Sequence, residues 1–356
     1  MPPPGRELAH SGTVTAMSAA SGGLSAPAPA TAPSPVPIID ISPAAEGAGG
    51  LAEVGRAVDE ACRAIGFFVI VGHGVPQPTI DAVWSAAREF FDLPLEVKRQ
   101  SPAPSEDYAY GYSPIRGEML ARSLGDTTPP DLKETLNMGP LDLPAVIPAG
   151  GGAILAEPRW PDEPASLRPA WEAYFRTMAD LAGRLLSIMA VGLDLPADYF
   201  EELLDHHSSA MRAINYPELE SRPLPGQLRA GAHTDYGTLS ILRFDDAPGG
   251  LEVMGPDGWA AVPMIPDGFV VNLGDMMARW TNDRWVSTLH RAALPPADAG
   301  RSARRQSIVF FHNVRWDAEV RCLPTCLAPG ESPRYEPVLA GPHLLSKFAS
   351  TVVGDY

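Results

Sequence analysis

Residues 237–275 read GTLSILRF, DDAPGG, LEVM, GPDG, WAAVPM, IPDG and FVVNLGD in unbroken succession. Short apolar runs alternate with clusters of Gly, Asp and Pro, the pattern of strands joined by tight turns. The pattern begins near Met211 and returns in RQSIVFFHN at 305–313. Strands at this spacing argue for an antiparallel sandwich or barrel.

Outward from this stretch the periodicity changes. Leu51, Val54, Val58, Ala61 and Ile65 recur at helical spacing. Gly66 should end that helix, and FFVIVGHG at 67–74 reads as a buried strand. VPIIDIS at 36–42 is a short strand before it. A second helix is expected from about Ile80 to Phe91, stopped by Pro94. A third runs from about Ala170 to Val191, with Trp171, Phe175, Leu181, Leu185 and Met189 on one side. Between them, Ser101 to Gly152 is rich in Pro, Gly and Tyr and reads mostly as loop. Helices therefore dominate the first half and strands the second, an α+β arrangement around a β core. Residues 1–36 are rich in Ala, Pro, Ser, Gly and Thr, too poor in large apolar side chains to offset chain entropy. A disordered tail is expected there.

Composition narrows the function. The 356 residues carry 27 basic and 43 acidic side chains, a formal charge of −16. That surplus repels phosphate backbones and anionic lipid, so neither nucleic acid nor a membrane is an expected partner. No apolar run approaches the roughly 18 residues that span a bilayer, and no basic stretch followed by an apolar segment marks the N-terminus. Three cysteines, Cys62, Cys322 and Cys326, do not make a disulfide framework. A cytoplasmic protein with reduced thiols is the expectation.

Two of the eight histidines and one nearby aspartate carry chemistry together. His233 and Asp235 in GAHTDYG are two residues apart, on one face of an extended chain. His290 follows 55 residues after Asp235, beyond several strands, where a barrel can return it to the pair. Two imidazoles and a carboxylate on one face of a metal leave positions open, the triad suited to non-haem Fe(II). The same ligands also serve a zinc hydrolase, and a lone His-x-Asp is commonly a surface or hydrogen-bonded core pair. Arg305 and Ser307 share one strand face with Val309 and Phe311. An arginine fork and a hydroxyl in an apolar lining make a clamp for a carboxylate.

In order and spacing these motifs resemble the isopenicillin N synthase-like family of Fe(II)/2-oxoglutarate-dependent dioxygenases. The resemblance runs from about Val36 to past Phe311. It rests on VPIIDIS, GFFVIVGHGV, REFFDLPLEVK, KETLNMG, HTD, GDMMARWTNDRWVSTLHR and RQS. It implies a double-stranded β-helix (jelly-roll) core at about 205–315, flanked by helices from the N-terminal half. An N-terminal region would span 37–150 and a C-terminal region 151–356. The resemblance further implies Fe(II) held by His233, Asp235 and His290, with 2-oxoglutarate and O2 as cosubstrates. Arg305 and Ser307 match the motif that holds the distal carboxylate of 2-oxoglutarate, and Tyr216 in INYP matches a tyrosine that often joins them. Arg212, Tyr236, Arg116 and Tyr110 are candidate substrate contacts, with Tyr108, Tyr112 and Arg315 further candidates.

Two features depart from the family's pattern. Fifteen residues separate His290 from Arg305, more than is usual, the excess being the loop ALPPADAGRSA. Position 214 is Ile, where many plant relatives carry a polar residue. The activity implied is oxidation, by default hydroxylation, of a small metabolite with release of succinate and CO2. Two other readings share the motifs: an Fe(II) oxidase or cyclase that does not use 2-oxoglutarate, and a non-catalytic metal- or ligand-binding β-barrel.

Overall fold

In the computed structural model, which describes residues 34–125, 128–219, 221–299 and 302–348, the chain opens with strand β1 (Ile38–Asp40) and helix α1 (Ala48–Ala64). The tail expected at 1–36 lies outside the described residues except for its last three. Helix α1 stops where Gly66 adopts φ +65°, and a Cβ there would sit 2.0 Å from the Val286 carbonyl oxygen. Only glycine fits that combination of a left-handed turn and close approach. Strand β2 (Phe67–Val71) follows, then α2 (Gln77–Asp92) and the short α3 (Leu95–Lys98). Leu93 ends α2 in an extended conformation, as the residue before Pro94 must.

The stretch 101–152 is not mostly loop. It contributes strands β3 (Gly111–Ser113) and β4 (Glu134–Met138) to the main sheet. Strand β4, ETLNM, is buried throughout. Its polar members, Glu134, Thr135 and Asn137, conceal it from a search for apolar alternation, because tertiary partners rather than side-chain polarity make it a central strand.

Helix α4 (Leu167–Gly192) leads into strands β5 (Ala210–Tyr216), β6 (Ala230–His233), β7 (Leu239–Phe244), β8 (Gly250–Gly255), β9 (Gly258–Ala261) and β10 (Phe269–Leu273). Helix α5 (Asp275–Trp280), β11 (His290–Ala293), β12 (Arg305–His312), the pair β13 (Glu319–Val320) and β14 (Val338–Leu339), and α6 (Ala340–Phe348) follow among the described residues. An eight-stranded sheet has the order β1-β2-β10-β7-β12-β5-β4-β3, and a four-stranded sheet the order β6-β11-β8-β9. All neighbours in both are antiparallel except β1 and β2.

The alternation along β12 explains the layering. Ile308 and Phe310 are buried with α4, where the Phe310 ring lies 5.0 Å from that of Phe175. Each such side chain contributes about 1.5–3 kcal/mol by leaving water. A second apolar cluster, with Phe67, Val69, Val253 and Val270, joins strands of both sheets. Arg305, Ser307, Val309 and Phe311 take the other face of β12 and line a cavity. The three cysteines are free thiols. No helix among the described residues is long and apolar enough to cross a membrane.

Candidate active site

Strand pairing brings His290 back to His233. The two residues are direct partners between β11 and β6, and their ring centroids are 4.3 Å apart. The approach to His290 is fixed by helix α1. Asp59 accepts from the Trp285 indole (2.7 Å) and Arg284 (3.1 Å), while Thr288 Oγ1 donates to the Ile65 carbonyl (2.7 Å). Asp235 Oδ1 lies 3.9 Å from His233 Nε2 and 3.7 Å from His290 Nε2.

The surroundings orient all three donors. His233 Nδ1–H donates to the Gly231 carbonyl at 2.8 Å, and His290 Nδ1–H to that of Thr288 at 3.1 Å. Both Nε2 lone pairs therefore face Asp235. Asp235 Oδ2 accepts from Ser240 Oγ at 2.5 Å and from Asn272 Nδ2 at 2.7 Å, which leaves Oδ1 to the histidines. Such outer partners fix tautomer and orientation in metal sites. Burial, reinforced by neighbouring His290, holds His233 well below the usual imidazole range, so it stays a neutral donor. Burial alone would raise Asp235, but positive charge shared by the histidine pair, with hydrogen bonds from Ser240 and Asn272, outweighs it and holds the carboxyl below its usual range. These three are a group of closely spaced donors able to hold a metal ion.

A cavity of about 590 Å³ runs from this cluster between the two sheets. Arg305 opens β12 directly opposite Tyr216, with its guanidinium over the rings of Tyr216 (5.2 Å) and Phe244 (4.7 Å). Gly250, at φ +128°, leaves room for it: a Cβ there would lie 2.9 Å from Arg305 Nε. Arg305 is only 2% exposed, yet its Nη2 has no hydrogen-bond partner. A buried guanidinium with an open donor is costly unless a ligand supplies the acceptor. The donor set and this orphaned nitrogen fit a divalent cation and a carboxylate respectively.

Two family profiles match the chain: the non-haem dioxygenase in morphine synthesis N-terminal region over residues 36–163, and the 2OG-Fe(II) oxygenase superfamily over 208–314. The chain belongs to the 2OG-Fe(II) oxygenase superfamily. A 2-oxoglutarate-Fe(II) type oxidoreductase, hxnY of Emericella nidulans, is 34% identical over 85% of this chain and 86% of its own. Validamycin A dioxygenase of Streptomyces hygroscopicus subsp. limoneus is 32% identical, over 87% and 85%. Among solved structures, a full-length Neurospora crassa protein in complex with alpha-KG and 5-formyluracil superposes with a TM-score of 0.76 at 29% identity, covering 88% of this chain and 96% of that one. The oxygenase is thus an Fe(II)- and 2-oxoglutarate-dependent enzyme with a double-stranded β-helix core. Its relatives favour neither the 2-oxoglutarate-free oxidase nor the non-catalytic barrel.

The cavity gathers most of the residues singled out from sequence. His233, Asp235, His290, Arg305, Ser307, Tyr216, Arg212, Tyr236 and Tyr110 all line it, despite the long loop before Arg305. The Tyr110 hydroxyl is already engaged, donating to the Ile154 carbonyl at 2.7 Å. Arg116 is a correction: it is exposed, at φ +69°, and outside the cavity lining. Tyr108, Tyr112 and Arg315 are also outside it. The Tyr108 hydroxyl accepts from the Arg159 backbone N–H, the Tyr112 hydroxyl donates to Glu134, and Arg315 pairs with Asp317. A tyrosine-rich loop looks like a binding loop in sequence, but these rings are core.

Sequence reasoning missed several residues. Glu118, Lys133, Asn137 and, from α6, Leu344, Leu345 and Phe348 also line the cavity. Ser240 and Asn272 had a readable signal, each being a polar residue flanked by apolar neighbours within a strand, where a buried polar group must find a partner. Lys133, Thr135 and Asn137 alternate along KETLNMG and could have marked an inward polar face. Glu118 and α6 left no local signal.

Proposed function

We propose that His233, Asp235 and His290 hold the Fe(II) of this oxygenase, while Arg305, Ser307 and Tyr216 hold the distal carboxylate of 2-oxoglutarate. The observation that carries this reading is the meeting, in one cavity, of an oriented His-Asp-His donor set with a buried arginine whose Nη2 lacks an acceptor. When bound, iron and 2-oxoglutarate supply with dioxygen the oxidative decarboxylation that drives substrate oxidation. The chain's own residues orient and shield. Gly231 and Thr288 carbonyls keep the imidazoles aimed, and Ser240 and Asn272 hold Asp235. Val309 and Phe311 give the cavity an apolar wall that limits water.

The substrate is a small metabolite, and hydroxylation is its default fate. A small substrate is supported by the 5-formyluracil bound to the Neurospora crassa neighbour and by a further neighbour, JOX2 in complex with 2OG, Fe and JA (TM-score 0.67, 27% identity), and hydroxylation by a relative named proline hydroxylase, buaE of Petromyces alliaceus, 34% identical over 76% of this chain. Arg212 and Tyr236 face the substrate. The formal charge of −16 argues against nucleic acid and anionic membranes as partners. The regions 37–150 and 151–356 act as one unit, because β3 and β4 of the first extend the sheet of the second.

Anaerobic addition of Fe(II) and 2-oxoglutarate should produce a visible charge-transfer band, and His233→Ala should lose both the band and iron binding. Full iron binding by His233→Ala, or iron binding without a band in the native protein, would overturn the assignment.

A further inference from the structure

The cationic side chains around the cavity do not have equal freedom. Lys133 Nζ pairs with Asp131 (2.7 Å) and Glu118 (3.1 Å). Arg212 Nη1 pairs with Glu118 (3.2 Å), and Arg291 Nε with Glu252 (2.7 Å). Among the described residues, Arg305 is the one lysine or arginine lining the cavity without an ion-pair partner. On the reading above, that cation belongs to the cosubstrate. Fe(II), the Asp235 carboxylate, dianionic 2-oxoglutarate and Arg305 then sum to zero charge.

The remaining charges lie where substrate must go. On the inward faces, Arg305 is opposite Tyr216, Ser307 opposite Ile214, and Val309 opposite Arg212, which in turn faces Asn137 across β4. Arg212 is four residues along β5 from Tyr216, about 13 Å at strand rise. That is beyond the reach of a five-carbon diacid anchored at Arg305. At this level Arg212 Nε and Asn137 Oδ1 are buried without hydrogen-bond partners. Glu118 Oε1 has only a long 3.4 Å bond from Thr135 Oγ1. Phe311 supplies an apolar surface beside them, its ring 5.9 Å from the Arg212 guanidinium.

From this geometry we infer that the oxygenase takes a compact substrate of no net charge that presents a hydrogen-bond acceptor beside a donor, docked on the Arg212–Glu118 pair. An α-amino acid zwitterion and a primary or cyclic amide both carry that chemistry. The acceptor meets Arg212, the donor meets Glu118 or Asn137, and the hydrocarbon part lies on Phe311. Glu118 is the specificity-determining residue. A simple monocarboxylate would find in Arg212 an attractive cation, but also the Glu118 carboxylate 3.2 Å from it. Burying a net charge beside an already balanced pair leaves it uncompensated. The inference rests on the cosubstrate reading, because only that reading removes Arg305 from the substrate's reach.

Three probes of nearly one shape test it: cyclohexanecarboxylate, cyclohexanecarboxamide and 1-aminocyclohexanecarboxylate. Each is titrated calorimetrically and anaerobically into the Fe(II)- and 2-oxoglutarate-loaded protein. At least one of the two neutral probes should bind ten-fold or more tighter than the carboxylate, and which one does so separates amide from amino acid. Glu118→Gln frees Arg212 and should shift the carboxylate-to-carboxamide affinity ratio ten-fold or more toward the carboxylate. Arg212→Gln should weaken the neutral probes and leave the carboxylate no tighter. The charge-transfer band of each variant is recorded first. A missing band in the native protein refutes the cosubstrate reading and, with it, this inference. With the band intact, binding of the carboxylate as tight as the neutral probes, no binding of either neutral probe, or an unchanged ratio in Glu118→Gln overturns the inference alone.

Discussion

Arg305→Met should separate the stability of the oxygenase from its hold on 2-oxoglutarate. In the absence of cosubstrate, Arg305 is a buried cation with one open nitrogen, packed on Tyr216 and Phe244. Methionine gives up two cation–π contacts, about 0.5–1 kcal/mol each. It also removes an unsatisfied buried donor that costs about 1–3 kcal/mol. The two effects nearly cancel, so the cosubstrate-free variant should melt within a few degrees of the native protein. The cosubstrate complex behaves differently. Charge-assisted hydrogen bonds contribute about 1.5–3 kcal/mol each, and losing a forked pair costs at least about 3 kcal/mol, or roughly 150-fold in Kd. At a concentration one hundred times the native Kd, 2-oxoglutarate stabilises the native protein by about 2.7 kcal/mol, and the variant by only about 0.3. A chain of this size gains about 2 °C or less per kcal/mol. Differential scanning fluorimetry, run anaerobically with Fe(II), should therefore show a rise of about 5 °C in the native protein and under about 1 °C in the variant. A variant that melts far below the native protein yet keeps the full cosubstrate-dependent rise would refute the reasoning: Arg305 would be a strut and not a receptor.

Two further outcomes follow from the same structure. Gly250→Ala forces a side chain onto φ +128° and places its Cβ 2.9 Å from Arg305 Nε, so 2-oxoglutarate affinity should fall about ten-fold along with stability. Gly226→Ala, at φ +74° with nothing within 4 Å, serves as the control, losing stability through backbone strain but no cosubstrate affinity in the same titration. Acid should also act through Glu118: burial alone would raise its carboxyl, but Arg212 and Lys133 overcome this and hold it at about 2, below the ordinary glutamate value of 4.5. A depressed folded-state pKa stabilises above the unfolded value, so this contribution, of order 3 kcal/mol, is full above pH 4.5 and is lost as pH falls toward 2. Denaturant titrations from about pH 6 to about pH 3 should show a smaller acid loss in Glu118→Gln than in the native protein, and equal losses would contradict the ion-pair geometry.

Sequence alone carried the parts of this molecule that depend on neighbours along the chain. The strands at 237–275, the helices at 48–64, 77–92 and 167–192, and the face shared by Arg305 with Ser307 all follow from periods of 2 or 3.6 residues and from turn chemistry, whereas β6 ends at His233 and Asp235 meets it from just beyond the strand. The order of the motifs then sufficed to recognise the family. Strand β4 escaped because its buried positions are polar, and Arg116 misled because an arginine in a tyrosine-rich loop is indistinguishable, without a fold, from one aimed into a pocket.

What only the tertiary structure decided is how charge is balanced around the cavity. Glu118 and Arg212 are 94 positions apart. No local pattern marks such pairs, since an ion pair needs only two opposite charges at contact, and the fold alone chooses which of the 27 basic and 43 acidic side chains meet. Sequence offered Arg305 as a candidate carboxylate clamp. Its solitude among paired cations, and the neutral substrate that solitude implies, emerges only when the sheets close around it.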